Sequence, residues 1–288
     1  MKSYLYTNLV YLLLQVRNSL VNALTNEDKD IPVVILCGGL GTRLGTETLS
    51  KPKPMVEIGG KPILWHVMKI YSYWGYNNFI LSMGYQSDKI KHYFMFYKEY
   101  SNNFEINMNT GKYEYLDELE TVDWNVKLVD TGIDTLKGGR IKRIEKYVNT
   151  DRFMLTYGDG VGDIDINKLL KFHKSHRKLS TLTGVHPPSR FGEIIHKGTE
   201  IISFSEKPQA SMGLINGGFM VHEAELFDHL SSDVNADFEI GPLEDLAGKG
   251  RIQIYKHLGT WACMDNVRDM NYLNKLWNNN EAFWKLWK

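Results

Sequence analysis

Five short runs of apolar, largely β-branched residues, Pro32–Leu36, Asn78–Met83, Asn125–Val129, Arg152–Tyr157 and Ser180–Val185, are separated by stretches of helical period. This alternation constrains the fold more than any other feature. The helix candidates are Pro62–Tyr73, Asp88–Tyr97, Ile141–Tyr147 and Ile166–His176, and Pro62 suits a first turn, where its missing N–H is not needed. Strands interleaved with helices predict a doubly wound α/β domain with a mainly parallel, mixed sheet. After Pro187-Pro188 the texture changes to shorter runs, Glu193–Ile195, Ile201–Ser205 and Leu214–Val221, which predict a small antiparallel addition to the same core.

The alternation starts at Ile31, so residues 31–288 are expected to form one domain and residues 1–30 an appendage. Leu9–Leu14 is apolar, but Gln15 and Arg17 interrupt it far short of the ~18 apolar residues of a spanning helix. No small-residue cleavage site precedes the charged stretch Asn26–Asp30. Residues 1–30 therefore read as an amphipathic helix and linker that packs on the body or on a partner subunit, with a membrane-surface anchor as the alternative. The formal net charge is zero, which excludes an electrostatic surface built for nucleic acid. Two cysteines, Cys37 and Cys263, make neither a disulfide framework nor a zinc pattern, so a reducing, cytoplasmic compartment is expected. Of the nine histidines, His173 and His176 are three apart, but they lie in the basic stretch Lys171–Lys178 and read as a solvated helix face. The aromatic C-terminus, Trp277 and Phe283-Trp284-Lys285-Leu286-Trp287, is expected to pack on the body or on another subunit.

The first strand runs directly into Leu36-Cys37-Gly38-Gly39-Leu40-Gly41-Thr42-Arg43-Leu44, whose glycines let backbone N–H groups approach an anion. It is neither a Walker-type loop, since no Gly-Lys-Ser/Thr follows, nor a dinucleotide fingerprint, since the third glycine is missing. Arg43 lies inside the turn and Lys51-Pro52-Lys53-Pro54-Met55 follows soon after. The prolines stiffen that segment, so Arg43 and Lys53, with Lys51 as the weaker neighbour, can converge as fixed charge on a triphosphate. Asp159, in Gly158-Asp159-Gly160 directly after the strand ending at Tyr157, is placed at the C-terminal sheet edge, where open α/β sheets bind ligands.

This glycine-rich turn followed by Lys-Pro-Lys-Pro-Met resembles the signature of the sugar-phosphate nucleotidyltransferase family. Further blocks recur in the same order: Val56–His66, Leu128–Gly132, Gly138–Arg140, Tyr157–Gly160, Ser205–Pro208 and Asn216–Phe219. The resemblance covers roughly Ile31 to the C-terminus and implies a Rossmann-like fold of the nucleotide-diphospho-sugar transferase type, with the antiparallel addition on the sugar side. It also implies attack of a sugar 1-phosphate on the α-phosphorus of a nucleoside triphosphate, closest to members that use CTP and α-D-glucose 1-phosphate. UTP or dTTP, another phosphorylated substrate, or a non-catalytic nucleotide-sugar-binding relative are the alternatives.

The resemblance assigns Arg43, Lys53 and Asp159 to catalysis, and Asp159 with Asp265 to a Mg²⁺ ion. Residues Leu36, Cys37, Gly38, Gly39, Leu40, Gly41, Thr42, Arg43, Lys53 and Gly158 are expected around the nucleotide. Thr135, Gly139 and Arg140 are further ligand contacts, and Glu206, Lys207, Asn216 and Gly217 meet the sugar phosphate. The apolar N-terminal segment and aromatic tail together predict a homo-oligomer.

Overall fold

The computed structural model describes residues 28–117, 121–188, 193–205 and 213–288. The reading of residues 1–30 as helix and linker falls mostly outside them. Asp28 and Lys29 are described and held to the body: Lys29 Nζ donates to Trp74 O at 2.5 Å and to Asn167 Oδ1 at 2.9 Å, and Asp28 pairs with Lys174.

The main sheet is built from β1 (Val33–Cys37), β2 (Asn78–Met83), β3 (Asn125–Asp130), β4 (Arg152–Tyr157), β6 (Ser180–Val185), β7 (Ile215–Asn216), β8 (Met220–Glu223) and β9 (Ile252–Lys256), while β5 (Gly160–Gly162) pairs separately with β10 (Trp261–Cys263). The order is β7-β6-β8-β4-β1-β2-β3, with β9 on β6. β1, β2, β3 and β4 pair in parallel. Strand β1 lies centrally and is buried along its whole length, which is why it reads as an unbroken apolar run rather than an alternating one. Its residues alternate between two cores, Val33, Ile35 and Cys37 facing one and Val34 and Leu36 the other.

The helices covering the sheet include α1 (Ile63–Tyr73), α2 (Ser87–Met95), α3 (Lys137–Arg143), α4 (Ile166–His176) and α5 (Val267–Asn278). Two expected helices differ from the sequence reading. The segment expected as Asp88–Tyr97 breaks at Phe96. The one expected as Ile141–Tyr147 begins four residues earlier, at Lys137, because Gly138 and Gly139 lie inside α3 against the backbone of residues 233–237.

The expected single strand Leu214–Val221 is also interrupted. β8 pairs with β6 through Thr181↔Val221 and β7 pairs with it through Gly184↔Asn216, so residues 217–220 stand opposite only Leu182 and Thr183. The excess is absorbed as a bulge with Gly218 at φ 75° and Phe219 at φ 48°. Phe219 is held there by burial and by stacking on Tyr71, with ring centroids 5.5 Å apart. β8 thus lies within the main sheet between β4 and β6, while Glu193–Lys197 and Glu200–Ser205 pair antiparallel as a separate two-stranded addition.

His173 does not lie on a solvated face. It is buried, its Nδ1 is 2.8 Å from Thr181 Oγ1 and its Nε2 is 3.0 Å from Glu223 Oε1. Burial lowers its pKa to about 4. The aromatic tail packs on α1: Trp284 is fully buried, donates to His66 Nδ1 at 3.3 Å and lies beside Trp277. Trp284 therefore supplies none of the exposed apolar surface on which an oligomer argument draws.

Candidate active site

The switch in strand order falls between β1 and β4, where the connections leave in opposite directions and open a crevice at the C-terminal edge. The turn after β1 and the Gly-Asp-Gly turn after β4 both open there. Gly158 N donates to Leu36 O at 3.2 Å, tying the two turns together. Gly41 adopts φ 66°, and a Cβ on it would come within 2.8 Å of Lys53 Cβ. Glycine here makes the turn and admits the lysine. Pro54 packs on Gly158, where an added Cβ would lie 3.3 Å from its Cγ, so the Lys-Pro-Lys-Pro segment lies directly against the Asp159 turn.

The result is a compact charge cluster. Lys53 Nζ is 2.5 Å from Asp159 Oδ2 and 2.7 Å from Asp265 Oδ1, and Arg43 Nη1 is 2.9 Å from Asp265 Oδ2. Residues more than a hundred positions apart in sequence meet here because β10 pairs with β5 and Met264 N donates to Asp159 O at 2.9 Å. Asp265 is held by its own N–H, which donates to Asp269 Oδ2 at 3.0 Å, at the start of α5. Asn266 caps that helix by accepting from Asp269 N at 3.1 Å.

Burial opposes charge on Lys53, but Asp159 and Asp265 outweigh it and move its pKa upward, so the ammonium is a fixed charge at neutral pH. Burial likewise works to raise the Asp265 pKa, and Lys53 and Arg43 more than reverse it, leaving the group ionised. The neighbouring thiol of Cys263 is pushed up to about 12 by burial and then by Asp265 and Asp159, so it is not a nucleophile.

Among the described residues no group of three or more His, Cys, Asp or Glu side chains forms a metal site of its own. Asp159 and Asp265 nevertheless fit a hard divalent cation, because one oxygen of each already faces a single cationic nitrogen. Magnesium characteristically takes one or two carboxylates and completes its shell with water and phosphate oxygens.

Comparison with known proteins bears on this geometry. Residues 32–242 match the model of the nucleotidyl transferase family. The chain belongs to that family. It is 46% identical over 256 residues to the glucose-1-phosphate cytidylyltransferase of Salmonella typhimurium, covering 88% of this chain and 99% of that protein. It is 42% identical over 254 residues, with the same coverage, to the probable glucose-1-phosphate cytidylyltransferase of Bacillus subtilis. Its fold is shared with HddC from Yersinia pseudotuberculosis, solved with GMP-PN (TM-score 0.62, 24% identity, 86% of this chain and 99% of that chain). The inositol-1-phosphate CTP transferase from T. maritima also shares it (TM-score 0.63, 13% identity, 90% of this chain and 97% of that chain).

The other residues singled out in the sequence of this transferase fall into distinct places. Leu36 and Cys37 bury their side chains on opposite faces of the sheet, so only their backbone faces the crevice edge. Gly39, Leu40 and Thr42 lie in the open turn; Leu40 is exposed, and nothing lies within 4 Å of a Cβ built on Gly39. Lys51 is not in the cluster and pairs with Glu57 at 3.1 Å.

Thr135, Gly139 and Arg140 engage the protein's own groups. Arg140 is 4% exposed; its Nη1 donates to Met83 O, Thr131 Oγ1 and Gly132 O at 2.8–2.9 Å, and its Nη2 to Gly38 O and Ile133 O at 3.0 Å. It thereby clasps the loops that follow β1, β2 and β3. Gly38 and Gly84 leave room for it, since a Cβ on either would lie within 2.4 Å of its guanidinium. Thr135 Oγ1 accepts from Arg143 Nη1 at 2.7 Å, and Gly139 packs on Asp233 O.

On the far side of β4, Asn216 Oδ1 accepts from Gly218 N at 3.1 Å and its Nδ2 donates to Tyr157 Oη at 3.2 Å. Gly217 O accepts from Trp261 Nε1 at 2.9 Å. Glu206 and Lys207 lie outside the described residues. Tyr157, Lys137 and Glu239 also meet at this edge without having been singled out in the sequence. Tyr157 had a signal in its place immediately before Gly158-Asp159, whereas Glu239 had none, being brought in from a segment of irregular backbone.

Proposed function

We propose that this transferase moves the cytidylyl group of CTP onto α-D-glucose 1-phosphate, giving CDP-glucose and pyrophosphate. The observation that carries the reading is the convergence of Arg43, Lys53, Asp159 and Asp265 at the β1–β4 crevice, in a chain that matches two proteins of that name over almost their entire length.

The chemistry suits these residues. A phosphate monoester has a second pKa near ~6, so the sugar phosphate arrives as an anion and needs no serine, cysteine or histidine to activate it. What the protein must supply is alignment of two mutually repelling anions and positive potential where charge develops. The backbone of Gly38–Gly41 gives a phosphate-sized approach, Arg43 extends over the turn with most of its side chain in solvent, and Lys53 carries a fixed charge at the floor. Asp159 and Asp265 would hold Mg²⁺, which supplies neutralisation of the phosphate oxygens during displacement. The sugar side is then the edge of Asn216 and Gly217, together with Glu206 and Lys207. Cytoplasmic location and homo-oligomeric assembly complete the proposal; no described helix is long and apolar enough to cross a membrane.

Pyrophosphate release measured across four nucleoside triphosphates and several sugar 1-phosphates tests it. The expected result is a strong preference for CTP with glucose 1-phosphate. Comparable turnover with UTP or dTTP would overturn the assignment of the base, and binding without release would make the chain a sensor.

A further inference from the structure

At the edge formed by β4 and the β7–β8 bulge, four polar side chains make one network that ends on Glu239. Asn216 Nδ2 donates to Tyr157 Oη at 3.2 Å, and Tyr157 commits its single proton to Glu239 Oε1 at 2.7 Å. Lys137 pairs with the same Glu239 oxygen and holds its ammonium 5.5 Å from the centre of the Tyr157 ring. Two donors therefore saturate Oε1, while Oε2 of the same carboxylate is shielded and has no hydrogen-bond partner among the described residues. An acceptor left so carries the desolvation penalty of the group with nothing to offset it, and such an orphan in an otherwise satisfied network calls for an explanation.

The bulge is shaped around this group. Gly218, at φ 75°, would place a Cβ 3.2 Å from Tyr157 Cδ2, so a side chain there would press on the phenol ring. Glu239 is itself held by Asp237, whose Oδ1 accepts from the N–H groups of Glu239 and Ile240 at 2.8 and 2.9 Å. The pair thus has a fixed orientation before any ligand arrives.

Charge selects what it receives. A carboxylate accepts hydrogen bonds and repels phosphate, so a hydroxyl of a sugar phosphate suits it and the phosphate does not. The cations that suit the phosphates, Arg43 and Lys53, are gathered by Asp159 and Asp265, whereas Glu239 is joined through Tyr157 to Asn216. We infer that Glu239, positioned by Tyr157, reads a hydroxyl of the hexose and so helps set which sugar 1-phosphate is accepted. Lys137, nearly half exposed, covers the carboxylate in this state and swings into solvent when the sugar arrives. The inference rests on the proposed sugar-phosphate reaction.

The test is steady-state kinetics of the full chain with glucose 1-phosphate and its 2-, 3-, 4- and 6-deoxy analogues, for the parent, Glu239→Gln and Tyr157→Phe. A hydrogen bond to a charged acceptor makes the parent disfavour one analogue by about 10-fold or more in kcat/KM. Glu239→Gln should raise KM for glucose 1-phosphate, erase discrimination against that analogue alone and leave KM for CTP unchanged. Tyr157→Phe should act in the same direction and more weakly. A parental analogue profile in both variants, or a uniform loss across all analogues and CTP, overturns the inference. Should Glu239→Gln not fold, Tyr157→Phe decides by the same profile. A parent that rejects CTP with glucose 1-phosphate sinks the functional reading separately, and the deoxy series is then run with the pair it does accept.

Discussion

Arg43 and Arg140 stand beside glycines at the same edge of the same sheet, and they have opposite surroundings. Among the described residues Arg43 has one ion-pair partner, Asp265, and its side chain is 67% exposed. Arg140 is buried and its two terminal nitrogens donate to five oxygens of the protein itself. Burial accordingly works to lower the Arg140 pKa, with Asp130 partly restoring it. A cation that is to meet an anionic substrate must keep donors free, whereas one that fixes loops must have them filled by oxygens that do not move. Adjacent glycines border both, Gly39 as open backbone and Gly38 as space for a guanidinium.

The largest effect is expected in the open cluster. Asp159→Asn keeps the shape and one acceptor but removes the charge facing Lys53, and turnover should fall by about 10²–10³-fold with little change in the melting temperature. Asp265→Asn should act alike and more weakly. Mg²⁺ titration of both variants against the parent makes the measurement; parental activity and metal dependence in Asp159→Asn would break the contrast at its catalytic end.

At the closed cluster the loss should be in stability. Arg140→Met fills much of the space but removes the donor from Gly132 O and Ile133 O, while Gly38 O and Met83 O keep the N–H groups of Tyr85 and Thr131. Each carbonyl left without a partner costs about 1–3 kcal/mol, so a total loss above about 2 kcal/mol is expected in urea unfolding. If Arg140→Met unfolded like the parent yet failed to bind CTP, Arg140 would be a ligand contact after all.

The adjacent glycines give a finer version of the same contrast. A Cβ on Gly38 would lie 2.2 Å from Arg140 Cζ, while none of the surrounding atoms lies within 4 Å of a Cβ on Gly39. Gly38→Ala should cost about 1–3 kcal/mol by overpacking. Gly39→Ala should stay within about 0.5 kcal/mol of the parent and act, if at all, on KM for CTP. Equal stability losses in thermal melts would show that the turn, not the guanidinium, sets the requirement.

Much of this was legible in the sequence for local reasons. The central strands announced themselves because burial on both faces leaves an unbroken apolar run, and Arg43, Lys53 and Asp159 did so because glycine and proline fix their loops. The sequence places Arg140 among the ligand contacts, and its acceptors, gathered from Gly38, Met83 and residues 131–133, come from three separate loops that no local pattern brings together. Glu239 was invisible because its partners, Tyr157 and Lys137, are supplied by β4 and α3, and nothing in its own segment repeats or alternates. His173 looked solvated amid lysines, yet the helix turns it onto Thr181 and Glu223 while its basic neighbours face out.

The smallest expected effect separates the two lysines of Lys51-Pro52-Lys53-Pro54. They are two residues apart and equally charged, and the sequence ranks Lys51 below Lys53, which alone of the two stands between prolines. In the structure Lys53 lies between two carboxylates of the crevice, whereas Lys51 makes a partly exposed pair with Glu57. Such pairs contribute about 0.2–1 kcal/mol, because water screens the charges and two long side chains lose freedom. Lys51→Ala should therefore shift the urea midpoint only slightly and leave kcat and KM for CTP close to parental. Lys53→Ala should lose turnover on the scale of Asp159→Asn, since it removes the charge that both carboxylates face. Measured side by side at low and moderate salt, the Lys51 effect should shrink as salt rises. A Lys51→Ala variant as inactive as Lys53→Ala would mean that the lysine leaves Glu57 when substrate binds and that the open cluster is larger than the four side chains assigned to it.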